Sequence, residues 1–234
     1  MKLRLDKYLA DMGVGTRSEV KRVIARGLIS IDGCVVKKPE TKIDTEQDKV
    51  LYQEQRISYV EYEYYMLNKP AGVVSATEDK RECTVIDLID SRRKDLFPVG
   101  RLDKDTEGLL LITNDGQLSH RLLSPKKHVD KVYYARIKGI ATKEDVKVFY
   151  EGLDIGEAHR TLPAKLCILR SGGESEVEVT VQEGKFHQVK RMFHAVGKEV
   201  LYLKRIQMGS LKLDDSLLPG AYRKLTKKEI QLLC

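Results

Sequence analysis

The 234-residue chain has no tryptophan, and only four phenylalanines accompany its eleven tyrosines. Aromatics amount to 6%, so any core must be largely aliphatic, and most of the rings carry a polar tip. Long apolar runs are missing too. They reach only four residues, as at Leu109–Ile112, whereas a membrane helix needs about 20, so no membrane role is expected. The N-terminus, Met-Lys-Leu-Arg-Leu-Asp-Lys, places charge where a secretory signal needs its apolar stretch. Cys34, Cys83, Cys167 and Cys234 lie no closer than 49 positions apart. With no CxxC pair, zinc ribbons and thioredoxin-like redox sites are excluded. Scattered thiols suit a reducing compartment, and the expected location is the cytoplasm.

Several chemical signatures are also absent. No GxGxxG or GxxxxGK[ST] occurs, which argues against dinucleotide and P-loop chemistry. Ser75, Ser119 and Ser124 lack the flanking glycines of a nucleophile elbow. His187 and His194 have the spacing of one helix face, but no third metal ligand stands at a familiar distance. What the chain does have is charge. Forty-two Lys plus Arg against 35 Asp plus Glu leave +7, with 41% hydrophobic residues to form a core. That balance modestly favours a polyanionic partner.

Leu5, Tyr8, Leu9 and Met12 recur at helical spacing, and Gly13 and Gly15 end the run. Thr16-Arg-Ser-Glu19 reads as a capping box opening a second helix, with Val20, Val23 and Ile24 as its apolar stripe and Gly27 as its stop. Two short alternating strands follow around Asp32-Gly33, a strong hairpin signal, with a further strand near Lys49–Tyr52. From Lys2 to Arg26 there are seven basic and three acidic residues. Arg17, Lys21 and Arg26 share the solvent side of the second helix, where an ordinary solvated face accounts for them as well as a nucleic-acid surface does. The polar, unpatterned stretch 54–63 reads as a linker, dividing the chain into domains 1–53 and 64–234.

Beyond the linker, strand-like runs (64–67, 108–113, 131–137, 177–181) alternate with turn clusters, and helices are expected at 84–89, 143–151 and 188–196. Strands outnumber helices without a regular βαβ order, so the fold class is α+β, with a mixed or antiparallel sheet. The densest segment is Gly100-Arg-Leu-Asp-Lys-Asp-Thr-Glu-Gly-Leu-Leu-Leu-Ile-Thr-Asn-Asp-Gly116. Asp103, Asp105 and Glu107 imitate the start of an EF-hand loop. The twelfth position is Asn114 rather than Glu, however, and an apolar run occupies the place of further ligands. A lone carboxylate held ionised by a cation is the chemistry left. Asp103 is a candidate for it, although local pattern alone reads more readily as a turn or capping aspartate. Glu183–Phe193 is a second constellation, in a stretch (185–205) with six basic residues and one acidic. Its plain reading is a basic helix touching phosphate.

Taken in order, these segments resemble a known family. Arg4-Leu-Asp-Lys-Tyr-Leu, Thr16-Arg-Ser-Glu and Ile29-Ser-Ile-Asp-Gly are similar to the S4 RNA-binding module. Gly100–Gly116, Tyr65-Met-Leu-Asn-Lys-Pro-Ala-Gly72, Lys131-Val-Tyr133 and Glu183-Gly-Lys-Phe-His-Gln-Val-Lys-Arg-Met-Phe193 resemble the motifs of the RsuA/RluB-type pseudouridine synthases. Nearly the whole chain is covered. The resemblance implies a small S4 module ahead of a catalytic domain with a mixed or antiparallel sheet. It also implies conversion of uridine to pseudouridine without metal or organic cofactor.

The roles it implies are specific. Asp103 stands at the essential aspartate, Tyr133 at the tyrosine that stacks on uracil, and Arg101 at the arginine that fills the gap left by a flipped uridine. Lys190 stands at the aspartate's basic partner, with Arg191 one register away. Arg4, Lys7, Arg17, Lys21, Arg22, Arg26, Lys69 and Arg191 are the expected RNA contacts. Lys-Phe-His-Gln-Val-Lys and Asp105-Thr match the small-subunit branch better than the large-subunit one. The implied substrate is uridine 516 of small-subunit (16S) ribosomal RNA, free or in an assembly particle, acted on by a monomer. The competing expectations are a large-subunit synthase and a non-catalytic S4 protein that only holds ribosomal RNA.

Overall fold

A computed structural model describes residues 1–233; Cys234 lies outside the described residues. The chain divides into two units, Met1–Glu63 with Asp90–Leu96, and Tyr64–Ile89 with Phe97–Cys234.

The first unit contains β1 (Lys2–Arg4), α1 (Leu5–Asp11), α2 (Arg17–Ala25), β2 (Ile29–Ile31), β3 (Cys34–Val35), β4 (Lys42–Asp44), β5 (Val50–Tyr52) and β6 (Gln55–Ile57). Helix α2 starts where the sequence says it should. The Glu19 N–H donates to Thr16 Oγ1, and the Thr16 N–H donates back to Glu19 Oε2, so two N–H groups at the helix start gain partners. The β2–β3 turn puts Asp32 and Gly33 both at positive φ, 49° and 84°, the conformation a two-residue hairpin requires. Leu5, Tyr8, Leu9, Val20, Ile24, Ile29, Ile43 and Val50 close an aliphatic core. The stretch expected to be a linker departs from that reading. Strand β6 lies within it, pairs antiparallel with β5, and buries Ile57 in the core. The segment 90–96 also belongs here: Arg93 is buried and donates to the Val60 carbonyl and, in two bonds, to Asp95.

The second unit is built on one sheet. Its elements are β7 (Tyr64–Lys69), β8 (Phe97–Pro98), β9 (Glu107–Thr113), α3 (Gly116–Leu123), β10 (Lys131–Lys138), α4 (Lys143–Glu151), β11 (Lys165–Arg170), β12 (Glu174–Val181), α5 (Gln188–Ala195), β13 (Glu199–Met208), β14 (Leu211–Lys212), β15 (Tyr222–Lys224) and α6 (Lys227–Leu233). The strand order is β11-β12-β10-β13-β9-β7-β15, with β14 on β13 and β8 on β9. Among these strand pairs only β13–β9 is parallel; the others are antiparallel. The unit is α+β with a mixed sheet. Helices α4 and α5 cover one half through Phe149, Met192 and Phe193 against Ala135, Ile137, Val177 and Val179.

Residues 84–89 are not a helix. Thr84 and Asp87 cap each other as in a helix start, but the chain makes only a turn there before running into the buried Ile89. The longest strand, β13, was not expected at all.

Candidate active site

Asp103 sits in the loop between β8 and β9, and that loop is fastened from below. Ser75 Oγ donates to the Leu102 carbonyl and accepts from the Leu102 N–H. The Gly72 N–H donates to the Lys104 carbonyl. Lys69 is 0% exposed and spends its ammonium on the carbonyls of Pro70, Lys104 and Thr106, at 3.0, 3.1 and 2.9 Å. Lys69 was expected to touch RNA; enclosed in this way it cannot, and it organises the loop instead. Burial pushes its pKa down to about 8.

Tyr133 comes from β10, half-buried beside Arg205 of β13 in the strand register. Lys190 comes from the first turn of α5. Its Nζ lies 3.2 Å from Asp103 Oδ2 and 2.6 Å from Asp105 Oδ1. Burial works against the charge on Lys190, but the hydrogen bonds to Asp105 and Asp103 outweigh it and hold its pKa above the ordinary lysine value. Asp105 is held below the usual carboxylate range, chiefly by its hydrogen bond from Lys190.

Asp103, Tyr133 and the exposed Arg101 line one cleft of ≈ 580 Å³, together with Lys185, His187 and Arg205. An adjoining arm shares Asp103 and Tyr133 and reaches Lys190. The four residues expected to be catalytic therefore surround one cavity. Arg191 does not join them. Its guanidinium donates to Glu157 at 2.6 Å and to the carbonyls of Phe186 and Ile155, so it braces the start of α5 rather than facing Asp103 or offering itself to RNA.

Three features escaped the sequence. Lys190 is shared by two carboxylates, the nearer being Asp105. Arg205 is 2% exposed, with Nε on the Leu109 carbonyl and Nη2 without a hydrogen-bond partner among the described residues. Lys131, also buried, has its pKa lowered by burial and then by Arg205. The cleft wall thus holds two enclosed cations that charge counting would place on the surface. A period-two alternation starting from Tyr133 would have put Lys131 on its face of β10.

In the first unit, Arg4, Lys7, Arg17 and Lys21 line one groove with Lys2 and Lys42. Arg22 on α2 and Arg26 just past its end are exposed outside that set. Lys42 enters because β4 pairs with β1, setting it opposite Arg4. Arg4 is exposed and makes two bonds to the buried Asp6. Among the described residues no group of three His, Cys, Asp or Glu could hold a metal ion, and no helix is long and apolar enough to cross a membrane.

Comparison with known proteins agrees with this architecture. Residues 63–195 match the model for RNA pseudouridylate synthases, and residues 3–50 match the S4 domain. The chain is 49% identical over 234 residues to an uncharacterized RNA pseudouridine synthase of Bacillus subtilis, covering 99% of this chain and 98% of the relative. It is 41% identical to the ribosomal small subunit pseudouridine synthase A of Vibrio cholerae, covering 97% and 98%. It is 37% identical to the ribosomal large subunit pseudouridine synthase B of Bacillus subtilis, covering 98% and 95%. A crystal structure of a pseudouridylate synthase superposes with a TM-score of 0.70 at 39% identity, over 99% of this chain and all of that one. With an S4 match ahead of a synthase match, and relatives of both ribosomal subunits aligned over nearly its whole length, the chain belongs to the RsuA/RluB family of RNA pseudouridine synthases with an N-terminal S4 domain.

Proposed function

We propose that the protein isomerises one uridine of small-subunit ribosomal RNA, at the position of uridine 516, as a cytoplasmic monomer. The observation that carries the chemistry is the Asp103–Lys190 pair, 3.2 Å apart, beside Tyr133 in one cleft. In this reading the C1′–N1 bond of the target breaks and the uracil turns. A C1′–C5 bond then forms, and the hydrogen leaving C5 is balanced by the one N1 gains. Nothing is oxidised or reduced. Asp103 acts on the sugar, by attack or by taking a proton, with the Lys190 ammonium beside it to balance its charge. Tyr133 offers its ring to the flipped base and its hydroxyl to the proton at C5. Arg101, exposed at the cleft mouth, occupies the gap left in the RNA. Residues 1–53 grip the surrounding RNA through the Arg4, Lys7, Arg17 and Lys21 groove.

The small-subunit target is supported by the match to synthases named for that subunit, at 41% against 37% for the large-subunit relative. The Lys185–Lys190 segment and Asp105 add to it. The test is incubation of purified protein with small- and large-subunit RNA followed by chemical mapping of pseudouridine. One modified uridine in the small-subunit RNA, abolished by Asp103→Asn, is expected. A product confined to large-subunit RNA would overturn the target and leave the chemistry standing.

A further inference from the structure

Phe186 is 73% exposed, an unusual position for one of only four phenylalanines in the chain. A single exposed apolar side chain is ordinary by itself. This one is presented. Its ring stacks on that of His187, with centroids 3.8 Å apart and planes 19° from parallel. His187 holds a left-handed backbone, φ 49°, a conformation disfavoured for a residue with a side chain and kept only where surroundings enforce it. The enforcement is visible. Buried Gln188 accepts from the Lys185 N–H and donates to Glu183, Glu183 also accepts from the Leu162 N–H, and Arg191 donates to the Phe186 carbonyl.

The loop is therefore braced, and the bracing leaves most of Phe186 in solvent. The two rings line the same cleft as Asp103, and His187 Nε2 lies 3.7 Å from Asp103 Oδ1. Lys104, Lys185 and Arg101 border it, so a polyanion is drawn to this rim.

We propose that Phe186, backed by His187, is a stacking platform for the nucleobase next to the target uridine. This rests on the RNA-isomerising reading of the cleft and adds a subsite to it. The target base must enter the cleft to reach Asp103, whereas a ring three-quarters exposed suits a base that stays outside. Unstacking a neighbour is part of the cost of flipping a nucleotide, and a preformed aromatic face offsets it. A stacked face also tolerates any base, so the platform contributes affinity and positioning rather than base identity.

The experiment measures binding of a folded small-subunit RNA fragment containing uridine 516 to wild type and to Phe186→Ala, Phe186→Leu and Phe186→Trp. The same fragment is made with an abasic nucleotide on either side of that uridine. Phe186→Ala and Phe186→Leu should each weaken binding by about tenfold, while Phe186→Trp keeps wild-type affinity. One abasic neighbour should cost the wild type a similar factor and cost Phe186→Ala nothing more. Melting temperatures should be unchanged, since the ring is exposed. Wild-type affinity in Phe186→Ala, or losses from variant and abasic site that simply add, would overturn the platform. Turnover of the intact fragment by wild type is scored separately, so failure of the target reading is distinguishable from failure of the platform.

Discussion

Lys190 answers to two carboxylates, and the two are not equivalent. The Asp105 side chain is 73% exposed, that of Asp103 26%, so water screens the first pair far more. An exposed ion pair contributes under about 1 kcal/mol. Asp105→Asn should therefore keep kcat within roughly fivefold, whereas Lys190→Met, which leaves Asp103 without its cation, should lower kcat by at least about a hundredfold. Steady-state kinetics on RNA that the wild type modifies would show the contrast; equal losses would place Asp105 in the chemistry. Lys69 gives a second test. Its folded pKa of about 8 lies below the unfolded value of 10.5. Between those limits the unfolded chain holds a proton the folded one has released, so stability rises with pH across that window. The neutral amine, however, has two hydrogens for three carbonyls, and the Asp103 loop loses a fastening. The urea midpoint of wild type relative to Lys69→Met should climb between pH 8 and 10.5 while turnover falls with a midpoint near pH 8. These cations also mark where sequence reading ends. Composition counts Lys69, Lys131, Arg191 and Arg205 as surface charge, but their partners are backbone carbonyls or carboxylates set by folding, and no local pattern encodes which way they turn.

Strand β9 explains why some elements were legible. Leu109 to Ile112 are all buried because β9 runs between β13 and β7, covered on both faces, and an unbroken apolar run records that. Helix α4 was readable from end to end because a capping box, Thr142 with Asp145, opens it and Gly152 closes it. Strand β13 was hidden by its own role: Lys204 and Arg205 sit mid-strand, one lining a groove and the other enclosed in the cleft wall. Strand β6 was hidden by polarity, since only Ile57 of its three residues is buried. Where β9 meets β13, Gly108 has φ 100°, and a Cβ there would stand 2.2 Å from the Arg205 carbonyl oxygen. Gly108→Ala should cost about 2 to 5 kcal/mol, from backbone strain and from prising apart the parallel contact. Urea unfolding measures it, and a loss below about 1 kcal/mol would mean the strands separate without penalty.

At the scale of the whole chain, the segment 90–96 alters what a truncation would do. Sequence reading divides the molecule at 54–63, yet Arg93 finds its carbonyl at Val60 and is grouped with the first unit. Deleting residues 1–63 should leave the second unit cooperatively folded, with weaker RNA binding and a shallower dependence of affinity on salt. It should also expose residues 90–96 to proteases, because Arg93 loses an acceptor. An unchanged salt slope would make the basic groove a bystander. The sheet itself has a temporal consequence. Its two antiparallel halves, β10–β13 on one side and β7, β9 and β15 on the other, are paired strand to strand through the β13–β9 register of Lys204 with Glu107 and Arg205 with Gly108. Asp103 belongs to one half, Tyr133 and Lys190 to the other. The bonds that join them, Tyr202 to Glu107 and Arg205 to Leu109, bridge 95 and 96 positions of chain, and closures of that length come late in folding. In stopped-flow refolding the far-ultraviolet signal of the sheet should recover before the capacity to isomerise RNA. For that interval the chain is a folded pair of hairpin stacks with no enzyme between them.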